Sequence, residues 1–579
     1  MASALALIVG LALGTPAEAQ RDAAEPEAAS GRQSKALVSA ERYMVSSANP
    51  HASEAGREML RRGGSAVDAA IAAALVLNLV EPQSSGIGGG GFVVHYDAAS
   101  RALATYDGRE TAPAAARPDR FLVDGQPIAF RDAVRSGLAV GVPGLVRLME
   151  HVHKKHGRLP WREVLGPAIR LARDGFEVSP RLHLLLTWFG PDHFAPAARK
   201  YFFTSNGSAW PVGYRLANPE LATTLDEIAE HGAEAFYTGA IAEEIIAAVG
   251  VGRGRPGGMT EEDLASYRVV ERQAVCTPYR GKRICGMGPP SSGAIAVGAT
   301  LKLIEPLEGI TGRAAGGSVL ALHLIAEAER LAYADRDRYI ADPSFVTVPA
   351  GLLDAGYLAE RRKLIDPARA MKPPAAGTPP GMAAPTRGAD ATVERGGTTH
   401  LSVVDGEGNA VAMTATIEGA FGSGLWAAGF LLNNELTDFS FRAVDGDGRP
   451  IANRVEAGKR PRSSMAPTIV LDAAGEVEAV LGSPGGNRIP LYVVKALVAL
   501  IDWGMDAGEA AALLNAGSRG KTFEIEIDGA AIWPALQMKA RGHVVQPDLM
   551  TSGLHIVTRR NGRLEGGADP RREGVVMGD

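Results

Sequence analysis

Residues 396–416 read G-G-T-T-H-L-S-V-V-D-G-E-G-N-A-V-A-M-T-A-T. Apolar and polar side chains alternate on either side of Asp405-Gly406-Glu407-Gly408-Asn409, which predicts two antiparallel strands, 399–404 and 410–416, joined by a tight loop. With the loop centred on Glu407, Val404 faces Ala410. The same register sets Thr398 opposite Thr416. Facing residues of an antiparallel pair have Cβ atoms roughly 5 Å apart, so the two hydroxyls are within hydrogen-bonding reach.

Gly396-Gly397 stands immediately before the Thr-Thr pair. Glycine has no Cβ, which frees the backbone and opens its carbonyl carbon to close approach. The Gly397 carbonyl is the group that Thr398 Oγ would attack if the chain cut itself there. Such a cut leaves Thr398 with a free α-amine, a group of ordinary pKa about 7.7–8.0. That amine can act as general base for its own hydroxyl. A plain hairpin, a common element, explains the alternation by itself but leaves the Gly-Gly placed before Thr-Thr unexplained; these residues alone leave both readings open.

Further segments narrow the choice. L-L-N-N-E-L-T-D-F-S, R-P-R-S-S-M-A-P-T and G-S-P-G-G-N-R follow the hairpin; R-R-G-G-S-A-V-D-A-A, G-I-G-G-G-G-F, Y-D-G-R-E-T-A-P, G-V-P-G and G-P-P-S-S-G precede it, and D-P-R-R-E-G closes the chain. In this order, from about residue 40 to 574, they resemble the γ-glutamyltranspeptidases, N-terminal-nucleophile hydrolases that mature by self-cleavage. The resemblance implies an α/β fold, a four-layer αββα sandwich built jointly from two self-cleaved chains. It implies a large subunit over residues 36–397 and a small catalytic subunit over 398–579. The two would form a heterodimer.

The resemblance also implies roles. Thr398 is the nucleophile, and Gly397-Thr398 is the self-cleavage point. Thr416 orients the hydroxyl, and Gly485 and Gly486 aim N–H groups at the tetrahedral oxyanion. Arg109, with its bidentate fork, would hold the substrate's α-carboxylate together with Ser463 and Ser464. Glu435 and Asp438 would hold the α-ammonium. Substrates would be glutathione and other γ-glutamyl compounds, with water or amino acid and dipeptide acceptors taking the acyl group. No cofactor is implied. A cephalosporin (glutaryl) acylase on the same fold is the alternative, although its acyl group lacks the ammonium that two carboxylates would serve.

Three departures stand out. Glu418 occupies a position where the family usually has Asn, adding a carboxylate beside Glu435 and Asp438. The N-A-P-R-x-H-H-like segment of relatives appears only as N-A-G-S-R-G-K, residues 515–521. Residues 441–459, where some relatives carry a lid with a Tyr, are short and have none. A more open site favours water over transfer.

The bulk composition, 46% hydrophobic and 22% charged, is ordinary for a soluble globular protein. A chain of 579 residues exceeds what one core holds, roughly 250–300 residues. A net charge of −5 supplies no basic field, so nucleic acid is not an expected partner. Residues 1–19 carry an apolar run and end in Ala17-Glu18-Ala19, a signal-peptide pattern that lacks the usual basic start. The run is too short to span a bilayer, and a periplasmic or secreted location is expected. Residues 20–35 read as a disordered tail. Cys276 and Cys285 fall opposite each other if Arg280-Gly281 forms a turn, and are either disulfide-bonded or two buried thiols.

Elsewhere, residues 51–80 predict two helices broken at Gly63-Gly64, with Asp68 as a cap or buried structural carboxylate. Gly88–Gly91 predicts a close-packed turn and lacks the Lys-Ser/Thr of a phosphate cradle. His151, His153 and His156 lie on a helix where i and i+2 point apart, so no metal site is expected there. Residues 324–339 read as a salt-bridged surface helix. Residues 371–388 form a Pro/Gly/Ala linker upstream of the cut, able to swing the new carboxyl end away.

Overall fold

The computed structural model describes residues 31–382, 387–392, 394 and 396–579. Its strands, in chain order, begin with β1 (Val38–Ala40), β2 (Met44–Ser47), β3 (Gly90–Asp97), β4 (Ala102–Gly108), β5 (Val270–Arg272), β6 (Val275–Tyr279) and β7 (Lys282–Gly286). They continue with β8 (Thr398–Val404), β9 (Ala410–Thr416), β10 (Thr468–Leu471), β11 (Val477–Gly482), β12 (His555–Arg560), β13 (Arg563–Ala568) and β14 (Val575–Gly578). Short two- and three-stranded ribbons lie outside this set. One seven-stranded sheet runs β14-β2-β8-β9-β3-β4-β5 and the other β1-β13-β12-β11-β10-β7-β6. All pairings within both sheets are antiparallel.

The period-two pattern of β8 explains the layering. Leu401 and Val403 point into one helix-lined core, while Val404 points into a second core shared with Met44, Val480 and Val557 from both sheets. The sheets therefore pack face to face. Four helices, α1 (Pro50–Arg61), α2 (Ala66–Val80), α3 (Leu145–His156) and α4 (Trp161–Asp174), cover the first sheet. Three others, α5 (Gly293–Ile304), α6 (Val319–Tyr339) and α7 (Ile489–Ile501), cover the second. This is the αββα sandwich.

The two helices expected from residues 51–80 are α1 and α2, and Gly63 lies between them at φ +82°. Every residue of α2 is buried, as its alanine-rich sequence allows. Asp68 closes a capping box with Ser65. The glycine turn is close-packed: a Cβ on Gly89 would come within 2.0 Å of the Thr416 carbonyl oxygen. Cys276 pairs with Cys285 across β6 and β7, and the two are disulfide-bonded at 2.06 Å. The helical histidines take separate partners: Glu271 for His151, the Leu159 carbonyl for His153 and the Tyr106 hydroxyl for His156.

One expectation is corrected. The helix over residues 324–339 belongs to α6 and is no surface element: Glu327, Glu329, Arg330 and Arg336 are all buried. Several of its charges pair internally, as in Arg330–Glu327 at 2.6 Å. Of the expected tail, residues 31–35 carry no secondary structure, yet the Lys35 ammonium donates to the Arg572 carbonyl at 2.6 Å. Residues 1–30, with the leader pattern, lie outside the described residues. Residues 234–254 are apolar and long enough to cross a membrane, but Ile241, Ile245 and Val249 pack into the first core.

Candidate active site

β8 and β9 pair from Thr398↔Thr416 to Val404↔Ala410, the register that the loop geometry predicts. Thr398, His400 and Ser402 share the face towards the second sheet. There His400 lies over β11: a Cβ on Gly482 would come within 2.4 Å of its ring. The ring also bonds Thr414 Oγ1 at 2.8 Å and Ser402 Oγ at 3.1 Å. Burial pushes the imidazole down to about 3, so it is a neutral spacer between β8 and the strand leading to Gly485-Gly486.

The carbonyl that joins Gly397 to Thr398 is hydrogen-bonded. Thr416 Oγ1 donates to the Gly397 carbonyl at 2.8 Å, and the Glu418 amide donates to Thr416 Oγ1 at 2.8 Å. The two bonds form a relay, each strengthening the other. Gly397 is glycine for a spatial reason: a Cβ there would sit 1.6 Å from the Glu418 carbonyl oxygen. Glu418 itself has φ +73°, a region Asn tolerates better than Glu does. Its carboxylate bonds to the Asn434 side-chain amide.

One pocket joins Thr398 and Thr416 to Arg109, Glu418, Glu435, Asp438, Ser463, Ser464 and Gly486. Gly485, at φ +144°, and Gly486, at φ +52°, turn the chain after β11, and a Cβ on Gly485 would strike the Tyr492 ring at 2.6 Å. Only glycine fits there. Arg109, fully buried at the end of β4, binds the carboxylates of Glu435 and, at 2.6 Å, Asp438, as well as the Arg462 carbonyl at 2.9 Å. Arg109 and its expected ammonium-binding neighbours thus hold one another. Ser463 accepts from the Met465 amide at 3.1 Å, and its carbonyl accepts from Ser292 Oγ at 2.8 Å.

Three residues not singled out from the sequence complete the pocket's charge. Glu394 lines it directly. Ser464 Oγ donates to Glu394 Oε2 at 2.6 Å, Arg462 Nε donates to Oε1 at 3.0 Å, and Arg336 also binds Oε1. Arg462 lay within the quoted R-P-R-S-S segment, and Arg336 within the helix read as surface.

Glu110 packs against Glu435. Burial, only partly countered by Arg109, raises its carboxyl to about 7, and burial pushes Glu435 and Asp438 well above the usual range. Arg109 stays charged, because the carboxylates outweigh its own burial. One guanidinium does not neutralise three buried carboxylates, so protons are shared among them. The sign follows: a carboxyl raised from 4.5 to about 7 stabilises the fold fully below its unfolded value, and this is lost as pH rises to about 7. Melting temperature is accordingly expected to fall between about pH 5 and pH 8. Glu110→Gln, which cannot ionise, flattens that fall in a thermal-melt series; an unchanged slope would remove Glu110 as the source.

Away from the pocket, His323, Glu327 and His543 present ligand-type atoms within 4.8 Å of one another. The two histidines bond each other at 2.7 Å and Glu327 pairs with Arg330.

Residues 52–579 match the family model of gamma-glutamyltranspeptidase. The chain belongs to the γ-glutamyltranspeptidase family. A glutathione hydrolase proenzyme from Escherichia coli (strain K12) is 37% identical over 551 residues, covering 92% of this chain and 91% of that one. Among solved structures, a cephalosporin acylase from Bacillus halodurans superposes with a TM-score of 0.82 at 28% identity, covering 94% of this chain and 97% of the other. Helicobacter pylori gamma-glutamyltranspeptidase gives a TM-score of 0.52 at 36% identity over 55% of this chain and 90% of its own. In this γ-glutamyltranspeptidase-family chain the β8–β9 hairpin, the arginine–carboxylate cluster and the glycine turn converge on one pocket.

Proposed function

We propose that this chain cuts itself before Thr398 and then transfers γ-glutamyl groups from glutathione and related amides to water or to amine acceptors. The observation that carries this is the Thr416 hydroxyl donating to the Gly397 carbonyl at 2.8 Å, with Thr398 next in the chain. Thr398 Oγ adds to that carbonyl, and the relay from Glu418 N–H through Thr416 supports the oxyanion. The C–N bond breaks as the Oγ proton passes to the departing nitrogen, leaving Gly397 esterified to Thr398 Oγ and Thr398 with a free α-amine. Water hydrolyses the ester. Residues 36–397 and 398–579 then remain together as large and small subunits, in keeping with the proenzyme name of the E. coli relative.

In turnover, the α-amine of Thr398 takes the proton from Oγ as it attacks the γ-carbonyl of the donor, then delivers it to the leaving amine. β-Branching keeps Thr398 χ1 narrow, which holds Oγ in line. Gly485 and Gly486 receive the oxyanion. Arg109, Ser463 and Ser464 hold the α-carboxylate, and Glu435, Asp438 and Glu418 hold the α-ammonium. A bound ammonium supplies the positive charge that this carboxylate-rich cluster lacks. An oxidising, periplasmic or secreted location belongs to the proposal, supported by the disulfide and the leader pattern.

The full-length likeness to a cephalosporin acylase makes a glutaryl donor the second reading. Purified protein is expected to release p-nitroaniline from γ-glutamyl-p-nitroanilide at least tenfold faster than from the glutaryl anilide, which has no ammonium. The reverse preference would select the acylase. Adding glycylglycine is expected to leave glutamate the main product, because residues 441–459 carry no Tyr lid; a dominant γ-glutamyl-glycylglycine product would contradict this.

A further inference from the structure

The uncut chain already holds a carboxylate in its substrate pocket. Glu394 lies on the segment just upstream of Gly397, and its two oxygens are bound by Ser464, Arg462 and Arg336. Burial opposes its charge, but the two guanidiniums outweigh burial and hold the carboxyl down to about 2. A second acid of the same segment, Asp390, pairs with Arg462 at 3.0 Å and accepts from Asn453 Nδ2 at 3.1 Å. Both arginines belong to the body of the fold: Arg336 to α6, Arg462 to the residues just before Ser463. Arg336 keeps Asp337 at 2.7 Å, and it also donates to Ser464 Oγ at 2.6 Å and to Ser292 Oγ at 2.9 Å.

We propose that Glu394 is a positioning residue for the self-cleavage and afterwards the anchor of a self-inhibitory contact, with Arg336, Arg462 and Ser464 as the carboxylate subsite it occupies. This rests on the self-cleavage and γ-glutamyl reading above. Before the cut, the ion pairs fix the upstream segment at one end while the Thr416 relay fixes the Gly397 carbonyl at the other, so the scissile bond is held in place for Thr398. After the cut, the new chain end still carries Glu394. It competes with any carboxylate-bearing donor until it leaves. Its departure strips two buried arginines of a counter-charge, which is costly unless an anion replaces it. The subsite therefore takes carboxylates, and the released segment is its first ligand.

The test uses wild-type cleaved protein turning over γ-glutamyl-p-nitroanilide. An N-acetylated peptide with the sequence of residues 391–397, Ala-Thr-Val-Glu-Arg-Gly-Gly, is expected to inhibit competitively, raising apparent KM at constant kcat. The same peptide with Gln in place of Glu is expected to be at least tenfold weaker. Arg462→Met is expected to weaken the Glu peptide about tenfold and leave the Gln peptide unmoved, a selectivity that a loss of packing would not produce. In the uncut chain, Glu394→Gln is expected to slow cutting at least tenfold and Glu394→Asp to restore part of the rate. Equal potency of the two peptides, or cutting of Glu394→Gln at the wild-type rate, would overturn the proposal. If wild type cuts but turns over no γ-glutamyl anilide, the functional reading is what fails, and the Glu394→Gln cutting rate still decides this one.

Discussion

Replacing Thr398 by alanine is expected to leave one uncut polypeptide and to lower γ-glutamyl anilide turnover by at least about 10⁴-fold, the scale seen when a nucleophile is removed. In the proposed mechanism both losses have one cause: the same Oγ attacks Gly397 in the precursor and the donor in the mature enzyme, and the first reaction produces the base for the second. Thr398→Ser keeps the hydroxyl and is expected to cut and turn over, more slowly because χ1 is no longer restricted by the methyl. Denaturing gels followed over hours, with p-nitroaniline release on the same samples, measure both. A cut and active Thr398→Ala protein would end the account.

Replacing Thr416 by valine is expected to slow the self-cut by about 10²–10³-fold, the cost of removing one oxyanion donor. Valine has nearly the same shape, so β9 keeps its register with β8. What disappears is the donor to Gly397 at 2.8 Å and the acceptor for the Glu418 amide at 2.8 Å. The stranded amide adds a stability loss of roughly 1–3 kcal/mol, which a thermal melt separates from the kinetic effect. Thr416→Ser restores the hydroxyl and most of the cutting rate. Cutting of Thr416→Val at the wild-type rate would assign the polarisation of the Gly397 carbonyl to another group.

Where side-chain periodicity or turn geometry fixed neighbours, the sequence was readable. A period of two and a loop centred on Glu407 set Thr398 against Thr416, and the Arg280-Gly281 turn set Cys276 against Cys285. Gly63 marked the break between α1 and α2 because the chain there needs a positive φ. What escaped depends on distant partners. The charges of α6 resemble a solvated face by spacing alone; only the fold brings Arg336 to Glu394 and Ser464 and makes a buried charge tolerable. Glu394 sits in a segment with no periodicity to mark it. The need for glycine at 397 arises from the Glu418 carbonyl, which the hairpin returns to it. Resemblance implies that Arg109 binds the substrate carboxylate; its engagement with Glu435 and Asp438 is a product of packing.

The most direct measurement is intact mass and N-terminal sequencing of the active, purified protein. The account predicts two chains, the smaller beginning Thr-Thr-His-Leu-Ser at Thr398, and a time course in which γ-glutamyl turnover rises with the fraction cut. A polypeptide still continuous from Gly397 to Thr398 that turns over substrate at full rate would contradict it.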